Sequence, residues 1–304
     1  MFLEQGIKEE NTFWKYILGS VLIISASVVG QVPLLVAVFY ETFVNKKPYP
    51  TSNDAIMHFF EPNSTLFLLL ISFVFAMLAI YFVVRYLHQQ SFLSVTTSRA
   101  QMDWNRVLFS FLVWSGFTIA STLFFYWSNP NDFVINFKPL PFLFLVVIGT
   151  VLIPIQTSTE EYVFRGYLMQ GFANLSGNKW FPLLMTSLIF GLMHLSNPEV
   201  TKMGYWIMVY YIGTGLLLGV ITLMDEGMEL ALGFHAANNL IGALLVTSDW
   251  SAFQTNSVLK DISEPTASLD VILPVVVIYP ILLIIFGKKY NWTNWIEKLT
   301  GSIK

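Results

Sequence analysis

Thr159-Glu160-Glu161-Tyr162-Val163-Phe164-Arg165 continues an apolar run that begins near Pro141, so three ionisable residues stand where lipid or a packed helix interior is expected. By insertion scales a charged side chain at mid-bilayer costs roughly 2.5–3.5 kcal/mol, so such groups line a polar cavity, a relay or a catalytic site. Glu161 and Arg165 are four apart, share a helix face and can pair. Glu160 is turned about 100° from Glu161 and points elsewhere, available as a base. The alternative is a structural intramembrane ion pair, which accounts for Glu161 and Arg165 and leaves Glu160 without a role.

Outward from this stretch the whole chain reads as membrane protein. It is 55% hydrophobic with 12% Asp, Glu, Lys and Arg, and its mean hydropathy is +0.62. A spanning helix needs about 20 mostly apolar residues. Eight such runs are predicted, with cores at Tyr16 to Tyr40, Thr65 to Leu87, Val107 to Trp127, Pro141 to Tyr167, Trp180 to Leu195, Tyr205 to Met224, Glu229 to Thr247 and Val271 to Phe286. The expected fold is an all-α polytopic membrane protein of about eight transmembrane helices around a polar intramembrane cavity. The first run is too long for a signal-peptide core and follows Glu4, Glu9 and Glu10, so it is expected to stay as an anchor.

An even number of spans puts both termini on one side. Lys8, Lys15, Arg85, Arg99, Arg106, Lys179, Lys288, Lys289, Lys298 and Lys304 fall on that side, against Lys46, Lys47, Lys138, Lys202 and Lys260 on the other. The excess predicts cytoplasmic termini in an integral, multi-pass protein. Trp127, Trp180, Trp206, Trp250, Trp292 and Trp295 fall near span ends, where interfacial aromatic belts form. A net charge of −3 without a basic patch gives no nucleic-acid signal, and the lack of cysteine excludes disulfides, thiolate metal sites and a cysteine nucleophile.

No repeat or soluble linker divides the chain, so it is organised by content. Residues 1–138 form N-terminal spans for scaffold, lipid or partner contact, with Gln31 and Pro33 the main irregularities. Residues 139–247 hold the polar groups. Residues 248–304 supply an extracytoplasmic loop, the last span and a cytoplasmic tail. His58 and His88, in a loop and at a span end, are expected to be solvated.

Two further polar fragments accompany Glu160. Phe190-Gly191-Leu192-Met193-His194 closes the fifth run, and Gly233-Phe234-His235-Ala236-Ala237-Asn238-Asn239 sits in the seventh, with His235 and Asn239 on one face. Each alone reads first as hydrogen-bonded helix packing, and Gly213, Gly215 and Gly219 read as close packing in preference to a lateral opening. Depth joins them: at 1.5 Å per residue Glu160 and His194 both lie about 21 Å from the terminal side and His235 about 10 Å. They are expected to converge on a cavity open to the cytoplasm. A carboxylate, two imidazoles and a carboxamide supply a base, proton donors and oxyanion stabilisers without a Ser or Cys nucleophile, so hydrolysis by an activated water is the reaction class expected.

In these residues the sequence resembles the CAAX protease and bacteriocin-processing (CPBP, or ABI) intramembrane endopeptidases. Glu160, Glu161 and Arg165 match the family's Glu-Glu-x-x-x-Arg motif, Phe190 and His194 its Phe-x-x-x-His, and His235 and Asn239 its His-x-x-x-Asn. The resemblance spans roughly Pro139 to Leu245. It implies a CAAX prenyl protease-like enzyme of the glutamate or metallo type, with Glu160 and His194 activating water, His235 and Asn239 stabilising the oxyanion, and Glu161 and Arg165 as supports. The implied partners are the bilayer and a peptide or membrane-protein substrate, lipidated or not.

A metal is left open. Glu160, His194 and His235 are the residues that would fill a catalytic zinc shell, with water in the fourth position. No His-Glu-x-x-His motif is present, and an obligatory divalent metal is not expected. The competing functions are a non-proteolytic immunity or scaffold protein and, on the same carboxylates, a proton-coupled transporter.

Overall fold

The computed structural model describes residues 1–265 and 269–303; Lys304, counted above among the terminal-side cations, lies outside them. The apolar runs form helices α1 (Phe13–Phe43), α2 (Pro62–Leu87), α3 (Trp104–Ser128), α4 (Pro139–Ser176), α5 (Trp180–Leu192), α6 (Pro198–Asp225), α7 (Glu229–Leu245) and α8 (Val271–Lys289). Six of these are long and apolar enough to cross a membrane, while α5 and α7 hold only 13 and 17 residues. Helix α1 is interrupted between Val29 and Val32, one turn short of Pro33, whose ring and missing N–H disrupt the preceding turn.

The connections alternate between two ends of the bundle. At one end the Phe2 amide donates to Glu226, the Gln170 side-chain amide to Phe2, the Lys179 amide to Gly301, and the Ile303 amide to Gly177. Both termini therefore share this end. At the distal end the Asn63 side chain donates to Pro141, and the Asn256 amide donates to Asn63. Three short strands sit here, β1 (Phe133–Ile135), β2 (Val246–Thr247) and β3 (Leu259–Asp261), in the order β1-β3-β2. β1 pairs antiparallel with β3, and β2 parallel to it. They add a small clasp to an otherwise helical protein, too short to leave an alternating pattern in the sequence.

Small residues set the helix spacing. A Cβ at Gly233 would lie 2.1 Å from the Val107 carbonyl oxygen, so α7 meets α3 at backbone distance. On α6, a Cβ at Gly215 would approach the Ser187 carbonyl to 2.8 Å, and one at Gly219 the Leu183 Cδ1 to 2.5 Å, which seats α5 against α6 as close packing.

Two expectations are corrected. His88 is not solvated: it is buried, with its ring nitrogens on Asn11 Oδ1 and Tyr167 Oη at 3.1 and 2.9 Å. Burial, followed by the charge of Lys15, pushes its pKa down to about 4. Trp292 is not part of an interfacial belt either. It is buried and donates Nε1–H to Asp225 Oδ1 at 3.1 Å.

Candidate active site

Helix α4 carries the glutamates past Pro154 into a wide π-helical turn at Tyr162–Leu168. Such turns interrupt α-helices at functional positions and change which side chains face inward. Arg165 lies within it, fully buried. Its Nη1 donates to Glu161 Oε1 at 3.2 Å and its Nη2 to the Gly215 carbonyl at 3.0 Å. The pair expected from four-residue spacing is present, and α6 supplies a second acceptor to the guanidinium.

His235 stands between the two glutamates. Its Nδ1 lies 2.7 Å from Glu161 Oε1 and its Nε2 3.5 Å from Glu160 Oε2. The other oxygen of Glu160 accepts a hydrogen bond from Gln156 Nε2 at 2.6 Å. Gln156 Oε1 accepts from Asn239 Nδ2 at 3.1 Å, Asn239 Oδ1 from Asn238 Nδ2 at 3.0 Å, and Asn238 Oδ1 from Trp114 Nε1 at 3.1 Å. A polar chain thus runs from α3 through α7 and α4 to α6, and Glu160 is held within it rather than left mobile.

His194 joins across the cavity. The Phe190 carbonyl can only accept, so His194 Nδ1 carries the proton in their 2.8 Å bond, leaving Nε2 with a lone pair. The imidazole stacks on Tyr211 with centroids 4.3 Å apart. Phe190 is the hub of the aromatic packing, with the Arg165 guanidinium 4.5 Å from its centroid and the His194 ring centroid at 4.8 Å.

Glu160, His194, His235 and Asn239 line a single cavity of about 620 Å³, together with Gln156, Phe164, Phe190, Tyr211 and Asn238. Ligand sites commonly fall between 300 and 1,000 Å³. The lining runs from mid-bundle residues Ile23, Phe73 and Thr214 to Glu199, Val246 and Ser251–Phe253 at the distal end. None of it comes from the connections at the terminal end. The expected opening toward the termini is therefore corrected. Ile24 on α1 and Met193 after α5 also line it while being 62% and 69% exposed, so the cavity reaches the lipid-facing surface there.

Among the described residues no three His, Cys, Asp or Glu side chains are grouped closely enough to hold a metal ion, Glu160, His194 and His235 included. Sequence reasoning missed Gln156, Asn238, Trp114, Tyr211 and Glu199. For Gln156 a signal was available, since it precedes Glu160 by one helical turn on the same face.

Residues 138–241 match the family model of type II CAAX prenyl endopeptidase Rce1-like proteins. An uncharacterized Bacillus subtilis (strain 168) protein, YyaK, is 29% identical over 248 residues, covering 81% of this chain and 82% of that protein. No solved structure matches.

Proposed function

From the premise that this is a multi-pass membrane protein of the Rce1-like, CAAX protease-related family, we propose that it is an intramembrane endopeptidase in which Glu160 activates a water molecule. The observation that carries this is Glu160 itself: a carboxylate fixed on Gln156, facing His235 and lining the cavity. In this scheme His194 Nε2 accepts a hydrogen bond from the water and orients it. Glu160 takes its proton, and the resulting hydroxide attacks the carbonyl carbon of the scissile peptide.

The oxyanion that forms is met by the second amide N–H of Asn239 and by His235 Nε2. A donor at Nε2 requires the imidazolium, which brings Glu160, Glu161, Arg165 and His235 together to zero net charge. The proton held by Glu160 passes to the leaving nitrogen, the C–N bond breaks, and the carboxylic acid formed gives its remaining proton to the amine, leaving a carboxylate and an ammonium. No step needs a metal. Ile23, Phe73, Val163 and Phe253 give the remaining wall an apolar character suited to a hydrophobic peptide segment.

The excess of Lys and Arg at the terminal end supports cytoplasmic termini. The distal cavity then takes its substrate from the extracytoplasmic side or from the membrane plane. The cysteine-free chain makes this testable without background. In intact cells a membrane-impermeant maleimide is expected to label Thr51→Cys and spare Glu9→Cys, and the reverse pattern would place the cavity toward the cytoplasm.

Proteolysis is tested by mass spectrometry of new peptide termini in membranes of cells expressing wild type or Glu160→Gln at equal abundance. Fragments made only by wild type support the reading and name substrates. Identical sets from two folded proteins would overturn it in favour of a non-proteolytic binder.

A further inference from the structure

Glu199 is the one carboxyl group of the cavity wall that the proposed chemistry leaves unused. It follows Pro198 at the start of α6, at the distal end of the cavity. Its Oε1 accepts the Ala252 amide at 2.8 Å, which ties the loop after α7 to the start of α6 and fixes the carboxylate. Its Oε2 is buried and has no hydrogen-bond partner among the described residues. An ionised oxygen in that position is costly unless something completes it.

The rest of the wall indicates what completes it. The cavity's ionisable lining consists of Glu160, Glu199, His194, His235 and two tyrosines, with no Lys or Arg. Arg165, fully buried, is committed to Glu161 and Gly215. Glu160 is held on one oxygen by Gln156 and has His235 Nε2 3.5 Å from the other. Among the carboxyl groups that line the cavity, the oxygen without a partner is thus Glu199 Oε2, in a wall that also carries the rings of Tyr210 and Tyr211. A carboxylate in a wall lined by aromatic rings is a setting that favours an ammonium or guanidinium group.

We propose that Glu199 forms a subsite for a positively charged group of the peptide bound in this cavity, so that the protein selects segments carrying a cation at a fixed distance from the bond at Glu160. The inference rests on the reading of the cavity as a peptide site, but binding tests it without cleavage. The probe is a library of N-acetylated, C-amidated apolar decapeptides, half with one lysine and half with norleucine at the same position. It is offered to Glu160→Gln protein in nanodiscs, and bound peptides are counted by mass spectrometry. A second library with free amino termini and no lysine distinguishes a chain-terminal amine from a side-chain cation.

The expected result is at least a tenfold enrichment of one cationic library over its neutral counterpart, and its disappearance when Glu199→Gln is added. The glutamine keeps an acceptor for Ala252, and an unchanged melting temperature verifies the fold. Equal binding of charged and neutral peptides would overturn the subsite, a result that needs no Glu199 variant. So would enrichment that survives Glu199→Gln. Loss of the protease reading shows separately, as identical fragments from wild type and Glu160→Gln.

Discussion

Two clusters of paired charge lie in different parts of the same bundle, and they differ in whether they open on the cavity. At the terminal end Arg99 bridges Asp225 at 3.1 Å and Glu229 at 3.0 Å, while Arg106 pairs with both Asp225 and Asp103. Trp292 and the Asp103 amide supply further donors to the two buried carboxylates. Each of the three carboxylates has an arginine partner, and no residue of this cluster lines the cavity. At the site Glu160, Glu161, Arg165 and His235 share one guanidinium between two carboxylates, and one of those carboxylates faces open space. A cluster away from the cavity staples loops together. One whose carboxylate opens on the cavity can hold protons and substrate.

The contrast can be broken by substitution. The largest structural effect is expected from Arg165→Ala, which strands Glu161 in a fully buried position. Removing one partner of a buried pair costs about 3–5 kcal/mol, so folded protein recovered in detergent should fall sharply, and the Glu161→Gln, Arg165→Met double variant should regain part of it. Gly233→Ala is smaller. Its Cβ would meet the Val107 carbonyl at 2.1 Å, and overpacking of this kind typically costs about 1–3 kcal/mol, measured as a lower melting temperature.

The smallest effect sharpens the terminal end. His88 has a pKa near 4 in the folded protein, below the usual 6.5, so the unfolded chain binds its proton first as the pH falls. Its contribution to stability is full above about pH 6.5 and declines as the pH drops toward 4. Melting temperature should fall over that window, and less so in His88→Gln.

Local periodicity made much of this legible. The apolar runs gave the helices, and four-residue spacing gave the Glu161–Arg165 pair together with the shared face of His235 and Asn239. What it did not give depends on contacts between helices. Nothing in the order of residues says that His235 inserts between two glutamates of α4, or that Gly215 turns its carbonyl toward Arg165. His88 looked solvated because it follows the end of a span, and only the docking of Asn11 and Tyr167 buries it. Glu199 escaped notice because it follows Pro198 in what reads as a connection. Its placement depends on a loop more than fifty residues away.

The most direct test sets the two clusters side by side. Wild type, Glu160→Gln and Asp225→Asn are reconstituted in nanodiscs, and each is measured for melting temperature and for cleavage of a peptide drawn from the wild-type fragment set. Glu160→Gln is expected to keep its melting temperature and lose at least a hundredfold in rate, within the range for removing a general base. Asp225→Asn is expected to melt at a lower temperature and, at temperatures where it remains folded, to cleave within a fewfold of wild type. Cleavage that survives Glu160→Gln in a folded protein would contradict the account.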